Sequence, residues 1–152
     1  MVNELIAYCG PAAVPEDVWL RWNTDPVLIA ALAALAYGVA RRATHKNAGW
    51  AAIALMAVVF ISPLCALSSA LFSVRVLHHV ILVSAAAPFL ALAFPQRRAG
   101  VVPLALLVAA HAVALWVWHA PGPYAWGLAT VPGYWLMQLT LLGSAWWMWR
   151  AI

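Results

Sequence analysis

Residues 49–67 read GWAAIALMAVVFISPLCAL, 19 consecutive positions without a charged side chain. A helix of this length rises roughly 28 Å, close to the ~30 Å hydrocarbon core of a bilayer. Similar stretches occur at 26–40, 76–94, 100–119 and 132–149. None alternates apolar and polar residues, as a strand of a transmembrane barrel would. The sequence therefore predicts an all-α membrane protein, a helical bundle of about five transmembrane helices.

The composition of the chain excludes a water-soluble globular domain. Of its 152 residues, 67% are hydrophobic and only 8% are charged, and the mean hydropathy is +0.93. We therefore expect residues 1–152 to form a single transmembrane domain whose surroundings are the lipid bilayer. The net charge of +4 comes from basic residues scattered between apolar stretches, which is typical of topology signals. We expect no nucleic-acid partner.

The distribution of basic residues predicts the orientation of the spans. The connections that follow the first and third spans hold five of the eight Lys and Arg residues, and Arg150 is a sixth. The positive-inside rule makes that side cytoplasmic. The N-terminal segment 1–21 and the connections 68–75 and 120–131 then lie outside. We predict a multi-pass protein of a bacterial inner membrane, with its N-terminus outside and its C-terminus inside.

This topology brings nitrogen and sulfur ligands to one depth, at the outer ends of the spans. Imidazole, thiolate and thioether suit Cu(I). The candidate metal ligands are His78, His79, His119, Cys9, Cys65 and Met137. Haem is the rival, because histidines on facing helices could supply two axial ligands. The residues alone do not choose between copper and haem, and they contain no constellation of base and nucleophile that would indicate an enzyme.

Several of these residues have a plainer interpretation. A histidine at a helix end, such as His78, reaches water at little cost, and His111, deeper in its span, could simply hydrogen-bond a neighbouring helix as a buried polar group. Cys65 could pack as a small apolar residue, whereas Cys9 lies in a polar segment with no span to pack inside. The two cysteines could pair with each other, but their spacing does not indicate such a bond.

Three polar residues at the outer face are candidates for partner contacts. Arg75 has no acidic neighbour in sequence, so it could pair with Asp25 across the outer face, bind an acidic group of a partner, or bind lipid phosphate. Gln138 lies one or two turns into the last span from outside. All three belong to the set that we expect at an interface.

Five short motifs occur in order along the chain: Trp22-Asn23-Thr24-Asp25-Pro26, Ser62-Pro63-Leu64, Leu77-His78-His79-Val80-Ile81-Leu82, Ala87-Pro88-Phe89-Leu90 and Trp118-His119-Ala120-Pro121. Together they resemble the CtaG family of multi-span membrane cytochrome c oxidase assembly factors, which is distinct from the single-span copper-delivery protein of the same name. The resemblance covers most of the chain from about residue 19 onward.

The resemblance implies a role in maturing a haem-copper oxidase, with oxidase subunits as partners and no enzymatic reaction of its own. His79 and His119 match histidines of the family pattern, whereas Arg75 and Gln138 stand where that pattern usually has histidine, and His78 stands where it more often has glutamine. Two other functions remain open: a stably bound accessory subunit of the oxidase, and a haem-binding electron-transfer protein of the membrane.

Overall fold

The computed structural model describes residues 7–95 and 102–152, and within them all regular structure is helical, as predicted. Seven helices are present besides a single 3-10 turn at Val18–Leu20. They are α1 Pro26–Arg42, α2 Lys46–Phe60, α3 Leu64–Ala70, α4 Phe72–Ala93, α5 Leu104–His119, α6 Pro121–Ala129 and α7 Val131–Trp149. The basic residues Arg97 and Arg98, which contribute to the predicted orientation, lie outside the described residues.

One described helix, the 22-residue α4, is long and apolar enough by itself to cross a membrane. Two bent pairs also qualify if each is counted as one span: α2 with α3, bent by 47°, and α5 with α6, bent by 76°. The described residues thus contain one to three spans by length and composition.

The prediction that 68–75 and 120–131 are loops was wrong, because both ranges are largely helical. Proline is well tolerated in the first turn of a helix, where its missing N–H has no partner to lose, so Pro121 and Pro123 are compatible with a helix here. α6 begins at Pro121 itself. Helices α3 and α6 therefore continue the bundle past the predicted ends of the second and fourth spans.

Prolines shape two helices. Pro63 lies at the break between α2 and α3. Within α4, Pro88 cannot donate a hydrogen bond to the carbonyl four residues earlier. The helix contains a π-helical turn at Leu82–Ala86 just before this proline, where the Ala87 N–H donates to the Leu82 carbonyl five residues back. The turn lets α4 continue to Ala93 as one element.

Helix α7 packs against α4, α5 and α6, and α2 packs between α1 and α4. Gly49 of α2 allows a close approach to α1, because a Cβ at this position would lie 2.6 Å from Val39 Cγ1. The core is formed by apolar side chains from most of the helices. Its buried members are Leu28, Ala52, Met56, Val59, Phe60, Leu82, Ala86, Trp118, Tyr134, Met137 and Leu141.

Chain connections define two ends of the bundle. At one end, the Asn23 N–H donates to the Ile61 carbonyl, 2.8 Å away, and so ties the N-terminal segment to the α2–α3 junction. We call this the disulfide end, for the bond described below. At the other, the Arg150 end, Thr44 N–H donates to the Ala93 carbonyl, and His45 and Arg150 line one cavity.

Candidate functional site

A cavity of about 160 Å³ lies at the disulfide end, and we call it the histidine cavity. It is enclosed by the N-terminal segment, the α3–α4 region, and the first turns of α7. Six residues that the sequence nominated separately line it together. They are Cys9, Arg75, His78, His79, Met137 and Gln138.

Cys9 and Cys65 are joined by a disulfide bond, with their Cα atoms 5.3 Å apart. Their spacing of 56 residues gave no sign of this pairing. Cys65 is buried, and Cys9 faces the histidine cavity. The Tyr134 hydroxyl oxygen lies 3.8 Å from Cys9 Sγ. While the bond is intact neither sulfur is a thiolate, so neither cysteine can act as the copper ligand that the sequence analysis considered.

The hydrogen bonds of two histidines set their tautomers. His79 Nδ1 lies 3.1 Å from the Arg75 carbonyl oxygen, and His119 Nδ1 lies 2.6 Å from that of Leu115. A carbonyl oxygen only accepts, so each Nδ1 carries the hydrogen and each neutral ring has its lone pair on Nε2. Metal-binding histidines are oriented in this way by a carbonyl on the second nitrogen.

Several buried polar atoms that belong to residues lining the histidine cavity have no hydrogen-bond partner. Both ring nitrogens of His78, Nε2 of His79 and Oε1 of Gln138 are in this state. His78 is only 1% exposed and Gln138 only 3%. An unsatisfied buried polar group costs about 1–3 kcal/mol. A group of polar atoms without hydrogen-bond partners fits a cavity that takes up a ligand, an ion or ordered water.

Arg75 does not pair with Asp25, so that prediction was wrong. Its guanidinium donates to the Ser68 carbonyl oxygen at 2.9 Å and to the Tyr124 hydroxyl. A backbone carbonyl of α3 thus takes the place of Asp25, which was one of the three partners that the sequence left open for Arg75. In the described residues the only ion pair joins Arg21 to Asp17, so the charge of Arg75 is not neutralised there.

Asp25 lies instead beneath the N-terminal segment. Its carboxylate accepts hydrogen bonds from the Tyr8 hydroxyl at 2.5 Å and from the Val27 N–H at 2.8 Å, which caps α1. The Tyr8 bond holds the pKa of Asp25 below its usual value. Partial burial, followed by the same hydrogen bond, raises the pKa of Tyr8 to about 12. Asp25 therefore fixes Tyr8 and does not line the histidine cavity.

His119 lines a second, lateral cavity of about 300 Å³, together with Arg75, His79 and Met137. This cavity is otherwise mainly apolar and adjoins the histidine cavity through the residues they share. His111 lies elsewhere: it is 6% exposed, and its Nδ1 is 2.8 Å from Ser144 Oγ of α7. In the structure His111 is thus a buried polar residue that contacts a neighbouring helix.

Sequence reasoning missed the aromatic residues that close the histidine cavity. The Tyr8 ring stacks on Tyr134, with centroids 4.7 Å apart, and meets Trp135 edge-on at 5.0 Å. The Arg75 guanidinium lies 5.8 Å from the Tyr124 ring centroid. The sequence offered no signal for Tyr8, because its position depends on the neighbouring Cys9–Cys65 bond, which the sequence did not indicate.

The donor set of the histidine cavity fits a soft monovalent cation better than a hard one. Among residues 7–95 and 102–152, no three His, Cys, Asp or Glu side chains lie close enough together to hold a metal ion by themselves. The remaining donors are imidazole nitrogens and the Met137 thioether, which suit Cu(I), with the Gln138 amide oxygen as a weaker neighbour.

Comparisons with protein-family models, with curated proteins and with solved structures found no match. The resemblance to the oxidase assembly factors therefore stays a prediction from the sequence.

Proposed function

We propose that this chain is a multi-pass protein of a bacterial inner membrane that binds Cu(I) at its outer face and serves the assembly of a haem-copper cytochrome c oxidase. The observation that carries the proposal is the histidine cavity, which His78, His79 and Met137 line together and in which ring nitrogens of both histidines have no hydrogen-bond partner. The sequence resemblance supplies the biological setting, with oxidase subunits as partners.

The arrangement of the two ends supports five membrane crossings with the N-terminus outside. The basic residues Arg41, Arg42 and Lys46 flank the α1–α2 junction, which lies at the same end as Arg150. The Cys9–Cys65 disulfide lies at the opposite end, and disulfides persist in oxidising compartments such as the periplasm. Charge and redox chemistry thus favour the same orientation.

Exposed side chains support lipid as the surroundings of the bundle. Large apolar residues of α4 and α5 are exposed where a soluble protein would carry polar groups. They include Val76, Leu77, Val80, Leu106, Val113 and Trp116. A surface of this kind fits lipid or the helices of a partner in the membrane.

At the copper site, His79 is the residue best prepared to bind, since its Nδ1–H···O bond to the Arg75 carbonyl leaves Nε2 free. His78 and Met137 would complete the set from α4 and α7, and His119 from the lateral cavity would accept the ion on its way in or out. Copper would supply the chemistry that the oxidase needs, and the protein would hold it without reaction.

The proposal is tested by titrating purified protein, kept reduced, with Cu(I) in competition with a chromogenic chelator. We expect one ion per chain, with binding weakened by His79→Ala and Met137→Leu, whereas His119→Ala should leave the affinity unchanged. His45→Ala is the matched control, because His45 lies at the Arg150 end. No uptake of Cu(I), or equal binding by His79→Ala and the unaltered protein, would refute the copper site.

A pull-down of the tagged protein from native membranes, with metal and haem analysis of the eluate, tests its partner. Recovery with immature oxidase supports the assembly role. Stoichiometric retention with the active oxidase would instead show that the protein is a stably bound accessory subunit. A Soret band in the spectrum of the isolated protein would show that it binds haem and would favour haem over copper as its cofactor.

A further inference from the structure

The disulfide and the proposed copper site meet at one residue. Cys9 lines the histidine cavity beside His78, His79 and Met137, while its bonded partner Cys65 is 1% exposed and belongs to α3. The cavity is therefore bordered by a sulfur that is inert in its present form. Its reduced form would be the strongest Cu(I) ligand in the cavity, because thiolate is a softer ligand than imidazole.

The charge of the cavity favours a thiolate. Arg75 lines the same cavity, and within the described residues it forms no ion pair with a carboxylate. In the oxidised protein, the described residues that line the cavity offer a cation only neutral donors, and the Arg75 guanidinium repels it. A Cys9 thiolate would offset that positive charge and attract both the guanidinium and the metal ion. The geometry thus provides a reason for weak binding in one redox state and tight binding in the other.

We propose that the Cys9–Cys65 disulfide controls copper binding, with reduction converting Cys9 into a ligand of the histidine cavity. The inference rests on the proposed function. The reductant is a dithiol, such as a periplasmic thiol–disulfide oxidoreductase would present. The Cys9–Cys65 bond breaks, each sulfur gains a hydrogen, and the two thiols of the reductant form a disulfide. Cys9 then releases its proton when Cu(I) binds.

The non-covalent contacts of the N-terminal segment keep Cys9 in place after reduction. Tyr8 still stacks on Tyr134 and donates to Asp25, and Asn23 still donates to the Ile61 carbonyl. A stacked aromatic pair contributes about 0.5–1.5 kcal/mol beyond burial. The freed thiol therefore stays at the cavity, and the change is one of ligand chemistry more than of shape.

The test compares Cu(I) affinity of the detergent-purified protein in its oxidised form with that after reduction by a phosphine and removal of the phosphine without oxygen. Reduction should tighten binding by about tenfold or more. Cys65→Ser, which leaves Cys9 free, should bind tightly without any reductant. Cys9→Ser, its matched control, lacks the same disulfide and should not gain on reduction. Circular dichroism checks that both variants are folded.

The outcomes separate this inference from the proposed function. Equal affinity of the oxidised and reduced proteins, with His79→Ala still weakening both, overturns the redox control and leaves the copper site standing. A gain on reduction that persists in Cys9→Ser also overturns it, because the new ligand would then not be Cys9. Absence of Cu(I) binding in both redox states overturns the copper site and the inference together.

Discussion

Gly49→Ala should destabilise the protein by crowding the α1–α2 contact. A Cβ at residue 49 would lie 2.6 Å from Val39 Cγ1 and 2.8 Å from Val39 Cγ2, well inside ordinary van der Waals contact. Val39 is fully buried, and in a helix the χ1 angle of valine has one strongly preferred value. The side chain cannot turn away, so α1 must shift by several tenths of an ångström. Overpacking of this kind costs about 1–3 kcal/mol.

Gly38→Ala is the matched control, since a Cβ at residue 38 meets no atom within 4 Å. Both variants gain the same helix propensity, up to about 1 kcal/mol, so their difference isolates the clash. The measurement is denaturation of the detergent-solubilised protein by SDS, followed by circular dichroism. Val39→Ala combined with Gly49→Ala should recover part of the loss relative to the sum of the single changes. If Gly49→Ala is as stable as Gly38→Ala, the close approach of α1 and α2 is wrong.

Three further predictions concern polar groups. Gln138→His places an imidazole where Oε1 has no partner and should tighten Cu(I) binding about tenfold by competition titration, whereas Gln138→Leu should not. The lowered pKa of Asp25 means that its bond to Tyr8 is intact above pH 3.8 and is lost as the pH falls through the lowered value. Hydrogen exchange of residues 7–25, corrected for intrinsic rates, should therefore be unchanged between about pH 7 and 5. Faster exchange already at about pH 5 would contradict this. Ser144→Ala removes the partner of His111 and should cost about 0.6–1.7 kcal/mol in the same SDS assay, while an unchanged midpoint would mean that His111 finds another partner.

The helical class and most helix positions could be predicted because hydrophobic length is a local property. The stretches at 26–40, 76–94 and 132–149 each coincide with one helix to within a few residues. The breaks could not be predicted in the same way. A proline can end a helix, as at Pro63, or be accommodated by a π turn, as at Pro88. The outcome depends on which neighbouring groups donate hydrogen bonds to the carbonyls that the proline leaves without a partner. That information is tertiary and is not carried by the prolines themselves.

The candidate site was predicted residue by residue but not in its connections. The depth argument collected His78, His79 and Met137 correctly at one end, since depth follows from position along a span. For Arg75 it considered only charged partners, which were Asp25, an acidic group of a partner and lipid phosphate, although the carbonyl oxygens of Ser68 and Ser69 accept hydrogen bonds from it. It also left Cys9 and Cys65 apart, because the path of residues 10–25 across the end of the bundle has no hydrophobic period from which to read it.

That path bears most directly on function. Gly10 adopts a φ of +85°, which only glycine accepts readily, and its N–H closes a turn on the Ala7 carbonyl beside Cys9. Asn23 then anchors the far end of the segment to Ile61. Within the turn that Gly10 closes, Cys9 and Tyr8 bring a sulfur and an aromatic ring to a cavity whose other lining residues belong mainly to the helices. A segment that is neither a span nor a domain thus completes the proposed metal site, which is why the redox state of one bond can govern it.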